Sequence, residues 1–497
     1  MSAPDYLLAI DQGTTSTRAI LFDASGGTRH EARVALRQIY QRPGWVEHDP
    51  EEIWRAVVAT CHEAIEAARG RPIAAIGITN QRETTVLWER STGRPVHDAI
   101  VWQDRRTAQL CRSWREAGLA ETVASHTGLV IDPYFSASKI RWLLDNIAGL
   151  RERADQGQIA FGTIDSFLLW RLTGGKLHAT DVTNASRTML FDLHRLSWDG
   201  ELLREFGIPR ALLPEIRDTD ADFGATAPGL FGDALPIAGV AGDQQAALIG
   251  QACFSPGMVK STYGTGAFAL LHTGATPAVS RNRLLTTLAY RLGGVTAYAL
   301  EGSIFIAGAA VQWLRDRLRA VNAVAETGAL VAAADPQQRV YFVPAFAGLG
   351  APYWEAGARG ALTGLTAECG LPEIARATLE SVGFQTRDLI DAMKADCGLA
   401  IDRLRVDGGL AASDWAMQFV ADILPGQVER PHSLETTAWG AAYVAGQSRG
   451  LCPPPREMMA RRSAERRFAP TMDGAEREER YAGWKRAVAG VLAAASG

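Results

Sequence analysis

The residues of this 497-residue chain best suited to chemistry lie in short polar or glycine-containing strings that follow apolar runs. The first is Asp11-Gln12-Gly13-Thr14-Thr15-Ser16-Thr17, with Arg18 next in line. Gly13 lets backbone approach an anion closely, Thr14, Thr15 and Ser16 offer N–H and hydroxyl donors, and Arg18 supplies charge, so the string suits a phosphate. Asp11 would then hold Mg²⁺ through water, because that ion keeps several waters and needs few carboxylates. The same residues also make an ordinary solvated hairpin whose turn starts at Asp11. A second turn, Gly264-Thr265-Gly266, presents the same donors. A third, Gly408-Gly409, either admits a base or ribose against backbone or simply reverses the chain.

Acids and bases appear at other run ends. Asp243 follows the apolar stretch Leu235 to Val240 and a glycine, and precedes a helix-like stretch. A carboxylate at a strand end facing a cleft is placed to accept a proton, and the sequence equally permits a helix N-cap. Arg82-Glu83 offers charge-assisted donors and acceptors that suit adjacent hydroxyls, with Trp102 as an apolar wall; a surface ion pair and a core tryptophan are the alternative. There is no GxxxxGK[ST] loop and no GxGxxG after a strand, which excludes a Walker-type cradle and argues against a dinucleotide fold.

These strings need elements to hold them. Tyr6 to Ile10 and Arg18 to Phe22 read as strands flanking the first polar turn. Asp49-Pro50-Glu51-Glu52 reads as a helix start, with Asp49 as N-cap and Glu52 completing a capping box. Ile53, Val57, Cys61 and Ile65 then mark one buried face. Pro72 to Ile78 reads as a buried strand running into Asn80-Gln81-Arg82-Glu83. Near residue 258 a strand–glycine turn–strand unit recurs, which points to a duplicated architecture. A helix is expected from Ser303 to about Leu318, with Gly308 and Gln312 on one face. Another is expected from about Ser413 to Leu424, after a strand from Leu404 that runs into the Gly408-Gly409 turn. A final helix would pack Tyr481, Trp484, Val488 and Val491 onto the body. Alternating strands and capped helices make the fold class α/β.

Composition narrows the partners. With 47% hydrophobic and 21% charged residues the chain is globular, and its formal charge of −4 points to no bulk nucleic acid or anionic membrane surface. Six scattered cysteines form neither a disulfide framework nor a zinc site. The first residues lack a basic n-region and no stretch reaches the ~18 apolar residues of a membrane span, so no signal peptide is expected and the expected address is the cytoplasm.

Read together, DQGTTSTRAI, PGWVEHDPEEIW, IAAIGITNQRETT, TGLVIDPYFSASK, TNASRTMLFD, AGDQQAAL, STYGTG, GLGAPYW and RVDGG closely resemble the FGGY carbohydrate kinases, and among them those that act on glycerol. The resemblance implies a two-domain actin-like ATPase (ribonuclease H-like) fold with an interdomain nucleotide and substrate cleft, divided into residues 1–252 and 253–497. It implies MgATP-dependent phosphorylation of glycerol to sn-glycerol 3-phosphate by a homodimer or homotetramer. Carried over by motif, Thr14, Thr15, Ser16, Arg18 and Thr265 would contact phosphates, and Gly308, Gln312 and Gly409 would line the nucleotide site. Arg82, Glu83, Tyr134, Asp243 and Gln244 would hold glycerol, with Trp102 and Phe268 as the apolar wall that favours a three-carbon substrate over longer sugars. Asp243 would be the general base and Asp11 would lie near Mg²⁺. Two departures stand out. Ser413-Asp414 replaces the usual pair of asparagines on the adenine side, leaving the Ser413 hydroxyl as the candidate contact. Ala227 to Asp233 lacks both the fructose 1,6-bisphosphate loop and the phosphorylatable histidine of some members.

Overall fold

The computed structural model describes residues 5–321 and 326–496. Two mixed sheets share one plan. In the first, Tyr6–Gln12, Ser16–Phe22 and Thr28–Ala35 form an antiparallel ribbon, and Ile73–Asn80 and Ile237–Gly242 add in parallel on the Tyr6–Gln12 side. In the second, Val259–Tyr263, Ala267–Gly274 and Val295–Ile304 form the antiparallel ribbon, with Arg403–Asp407 and Gln427–Arg430 parallel on the Val259–Tyr263 side. Leu285–Leu292 and Arg466–Phe468 extend the two edges. The strand–turn–strand openings read from the sequence are thus the corresponding corners of two like sheets. Their central strands are buried on both faces, which is why they read as continuous apolar runs and not as alternation.

Helix Pro50–Ala67 covers one face of the first sheet, burying Ile53, Val57, Cys61 and Ala64 against Leu8, Ile10, Ala19 and Leu21. Asp49 caps it by accepting the Glu51 N–H at 2.8 Å, but the expected capping box is absent. Glu52 instead accepts the N–H of Arg37 at 2.9 Å, tying the helix to the ribbon beside it. The opposite face is covered from far along the chain: helix Thr436–Ser448 packs Ala438, Ala442 and Ala445 against Leu7, Ala9, Ile20 and Phe22. It also crosses helix Asp243–Gly250 at backbone contact.

The second sheet supports helices Leu371–Cys397, Asp414–Ile423 and Gly474–Ser496 in one core. The last packs as expected, with Trp484 Nε1 and Tyr481 Oη donating to the two oxygens of Asp388 at 2.7 and 2.6 Å. The helix expected from Ser303 starts later: strand Val295–Ile304 includes Ser303, and the helix is Gly308–Asp316. A short, mostly apolar stretch such as Ala297 to Ile304 does not separate a buried strand from a buried helix by periodicity alone. No helix among the described residues is long and apolar enough to cross a membrane.

Candidate active site

Parallel pairing brings the chemistry to one edge. Gln12, Asn80 and Gly242 are register partners across three strands, so Asp11, Arg82-Glu83 and Asp243 all emerge at the carboxyl ends of the first sheet. This is where open α/β sheets bind ligands. Gly242 caps helix Asp243–Gly250 and Asp243 is its first residue, so the carboxylate is not the cap and remains available to the recess. Its Oδ1 accepts the Gln244 N–H at 2.7 Å and faces Arg82 Nε at 3.1 Å, while Gln244 Nε2 donates to Oδ2 at 3.2 Å. Burial raises the Asp243 pKa, opposed by the Arg82 charge, yet 31% of the side-chain surface stays open to solvent. A carboxylate so held can take up a proton from a ligand hydroxyl.

Arg82 is almost wholly committed. Its Nη1 donates to Glu301 Oε2 at 2.5 Å and to Gln245 Oε1 at 3.3 Å, and its Nη2 donates to Glu301 Oε1 at 3.1 Å. Nε faces Asp243 as an ion pair without a hydrogen bond, so Nε–H and one Nη2 N–H remain of the five guanidinium N–H groups. Glu83 Oε1 accepts from Arg187 Nε at 2.7 Å, and Arg187 Nη2 reaches Glu301 Oε1 at 2.9 Å. Burial raises the Glu83 pKa against the pull of Arg82 and Arg187. Burial would raise Glu301 too, but the two guanidiniums outweigh it and hold Glu301 below the usual carboxylate range. Lys260, pushed down to about 8 by burial, donates to Gln244 Oε1 at 2.5 Å and so orients the amide toward Asp243.

Aromatic rings close the recess. Trp102 meets Tyr134 edge-on at 5.7 Å and Phe268 at 6.0 Å. Burial, with Glu83 nearby, keeps the Tyr134 phenol protonated and hence a donor. Trp102 Nε1 donates to Thr14 Oγ1 at 2.9 Å, and Thr14 lies 3.4 Å from Gln81 Oε1. The indole therefore joins the first polar turn to Phe268, two residues beyond the second turn.

The second turn gathers the remaining candidates. The Gly308 N–H donates to Gly264 O at 3.0 Å, and the Ala307 and Ala309 N–H groups donate to Thr265 O at 2.9 and 3.0 Å. Gly408 has φ +85°, and a Cβ there would fall 2.6 Å from Tyr263 O, so the chain following strand Arg403–Asp407 lies directly against the turn. Nothing lies within 4 Å of where a Gly409 side chain would point. Gln312 is exposed one turn along helix Gly308–Asp316. Ser413 has a job of its own: its hydroxyl oxygen caps helix Asp414–Ile423 by accepting the Ala416 N–H at 3.3 Å. Asp414 pairs with Arg430 at 2.9 Å and with Arg466. Arg18 is bridged between Asp11 and Glu435, which leaves Asp11 one carboxylate oxygen without a side-chain partner among the described residues. Thr15 is exposed and Ser16 buried at the turn, where the Gly13 N–H donates to Ser16 O at 3.0 Å.

Sequence reasoning assigned no role to Arg187, Glu301 or Lys260. The signal available was polarity out of place: Glu301 interrupts the strand string TAYALEGSI and Lys260 interrupts MVKSTY, each without a neighbouring counter-charge.

A held carboxylate beside a buried guanidinium–carboxylate cluster, linked through Trp102 to the first polar turn and to Phe268 next to the second, is an arrangement suited to phosphoryl transfer onto a hydroxyl. Residues 6–250 match the model of the FGGY family of carbohydrate kinases, N-terminal domain, and residues 259–448 match the C-terminal domain. The chain is 59% identical over 494 residues to a glycerol kinase of Methylobacterium nodulans, covering 98% of each chain. It is 58% identical over 490 residues to a glycerol kinase of Cereibacter sphaeroides, covering 98% of this chain and 99% of that one. The solved structure of Plasmodium falciparum glycerol kinase with ADP superimposes with a TM-score of 0.92 at 36% identity, covering 99% of both chains. The chain belongs to the FGGY family of carbohydrate kinases.

Proposed function

We propose that the protein transfers the γ-phosphoryl group of ATP to glycerol, giving sn-glycerol 3-phosphate. The observation that carries this reading is the polar remainder inside the ring of Trp102, Tyr134 and Phe268. Two Arg82 N–H groups, one Glu83 oxygen, the Tyr134 hydroxyl and the Asp243 carboxylate are left for a ligand with adjacent hydroxyls. The full-length likeness to glycerol kinases supports the same substrate.

In this mechanism Asp243 takes the proton of the attacking primary hydroxyl, while the Arg82 charge and the Gln244 donors hold the carboxylate in the accepting orientation. Arg82 and Glu83 fix the remaining hydroxyls, so that the attacking oxygen meets the phosphorus in line. Thr14, Thr15, Ser16 and Thr265 donate to phosphate oxygens, and Arg18 exchanges a carboxylate partner for phosphate. Gly308, Gln312 and Gly409 line the nucleotide, and the Ser413 hydroxyl keeps its own proton to donate on the adenine side. The donor set fits Mg²⁺. No group of three or more metal-ligating side chains exists among the described residues, and Asp11 offers a single free carboxylate oxygen. That is the sparse provision expected of an ion held mainly by water and phosphate. When bound, it neutralises charge on the β- and γ-phosphate oxygens. In the same reading residues 1–252 and 253–497 are the two halves that meet over the nucleotide.

A coupled assay of ADP release with and without glycerol, followed by identification of the phosphorylated product, tests the proposal. ADP release independent of glycerol, or faster turnover on a five-carbon sugar than on glycerol by kcat/KM, would refute it.

A further inference from the structure

Glu301 has no role in the mechanism above, yet its placement is specific. Its side chain is fully buried on strand Val295–Ile304, between register partners Leu270 and Leu285. The strand belongs to the second sheet, whereas both hydrogen-bond partners of its carboxylate, Arg82 and Arg187, belong to the first half of the chain. Oε1 accepts from Arg82 Nη2 at 3.1 Å and from Arg187 Nη2 at 2.9 Å, and Oε2 accepts from Arg82 Nη1 at 2.5 Å. Arg187 in turn holds Glu83 Oε1 at 2.7 Å and keeps Nη1 buried without a hydrogen-bond partner. One carboxylate therefore anchors both guanidiniums, and through them both members of the Arg82-Glu83 pair.

Removing that anchor has a definite consequence. Arg82 would have two paired N–H groups released beside Asp243 at 3.1 Å and Glu83 at 3.8 Å, and an uncompensated buried guanidinium turns to the nearest carboxylate. The Glu83 oxygen and an Arg82 N–H now free for a ligand would then be consumed by each other. We infer that Glu301 is a positioning residue for the polyol: it keeps Arg82 and Glu83 apart and aimed, so the small-substrate pocket is complete only when this second-half strand is seated. The inference deepens the glycerol-kinase reading and rests on it.

The test uses the full chain with Glu301→Gln, which preserves shape and removes the charge. Glycerol KM should rise at least about tenfold while ATP KM changes less than about threefold. Preference for glycerol over propane-1,2-diol, read as the ratio of kcat/KM values, should fall by about tenfold because the hydroxyl-binding pair is no longer aimed. A merely structural role would lower the active fraction and hence kcat, leaving both the KM split and the selectivity ratio unmoved. Should Glu301→Gln fail to fold, Glu301→Asp and Arg187→Lys replace it, each keeping the charge while losing one of the paired contacts. The same KM split is expected of them. Unchanged glycerol KM and selectivity, or glycerol and ATP KM rising together, would overturn the inference. Absence of glycerol-dependent ADP release in the unsubstituted chain would instead overturn the functional reading beneath it.

Discussion

Gly440→Ala should slow this enzyme and destabilise it, although intrinsic helix propensity argues the other way. Alanine inside a helix is favoured over glycine by about 1 kcal/mol, so an unobstructed substitution would stabilise helix Thr436–Ser448. Here a Cβ would lie 1.8 Å from Ala246 O, 2.6 Å from its carbonyl carbon and 3.0 Å from Gly250 N, all backbone of helix Asp243–Gly250. Reaching even 3.0 Å from the oxygen requires a separation of about 1.2 Å. The substituted helix cannot retreat, because Gly77 and Gly239 of the first sheet already bring strand backbone against it, where added Cβ atoms would meet Ala441 O at 2.1 Å and Ala445 N at 2.8 Å. The movement therefore falls on helix Asp243–Gly250, whose first residue is the proposed base. Overpacking of this kind costs about 1–3 kcal/mol, more than the propensity gain, and a 1 Å misplacement of a reacting group costs on the order of 10²-fold in rate. Thermal denaturation and steady-state kinetics on Gly440→Ala read both effects. Gly490→Ala, exposed on the C-terminal helix with nothing within 4 Å, serves as the control and should stabilise slightly. A Gly440→Ala protein that melts no lower than the unsubstituted chain and keeps kcat within twofold would refute the reasoning.

Three further outcomes follow from the site and its surroundings. Asp243→Asn should lower kcat by roughly 10²–10⁴ with little effect on ATP KM, and near-normal kcat removes Asp243 as base. Arg82→Ala should raise glycerol KM far more than ATP KM, since it deletes the donor left for substrate and frees Glu301 and Asp243 together; an unchanged glycerol KM removes Arg82 from the pocket. Asp165, fully buried and accepting from Thr163 and Thr180, is raised by burial to about 7. A carboxyl group raised above its unfolded value contributes stability below pH 4 that is lost as pH climbs through about 7. The melting temperature of Asp165→Asn relative to the unsubstituted chain should therefore increase from pH 4 to pH 7.5, and a pH-independent difference would exclude that charge as the cause.

Much of the site was legible because its residues stand beside local signals. Strand-end turns mark Asp11 to Arg18, Arg82-Glu83, Asp243 and the two later glycine turns, and the parallel pairing of apolar runs aligns them without further instruction. What was not legible came from partners distant along the chain. Glu301 is 219 residues from Arg82, and nothing within either neighbourhood announces the pair. The capping box at Glu52 failed for a related reason: the Arg37 N–H, in the loop just past strand Thr28–Ala35, takes the carboxylate.

The amino-acid sequence alone determines the α/β class, the repeated strand–turn–strand plan and the residue types at each proposed phosphate or hydroxyl contact. Those depend on periodicity, caps and turn chemistry within a few residues. Only the tertiary structure decides that helix Thr436–Ser448 returns to cover the first sheet, and that strand Val295–Ile304 supplies the buried counter-charge of Arg82 and Arg187. A buried charge has to find its partner in space, and a glycine at a helix crossing shows its purpose only against the backbone it lets in.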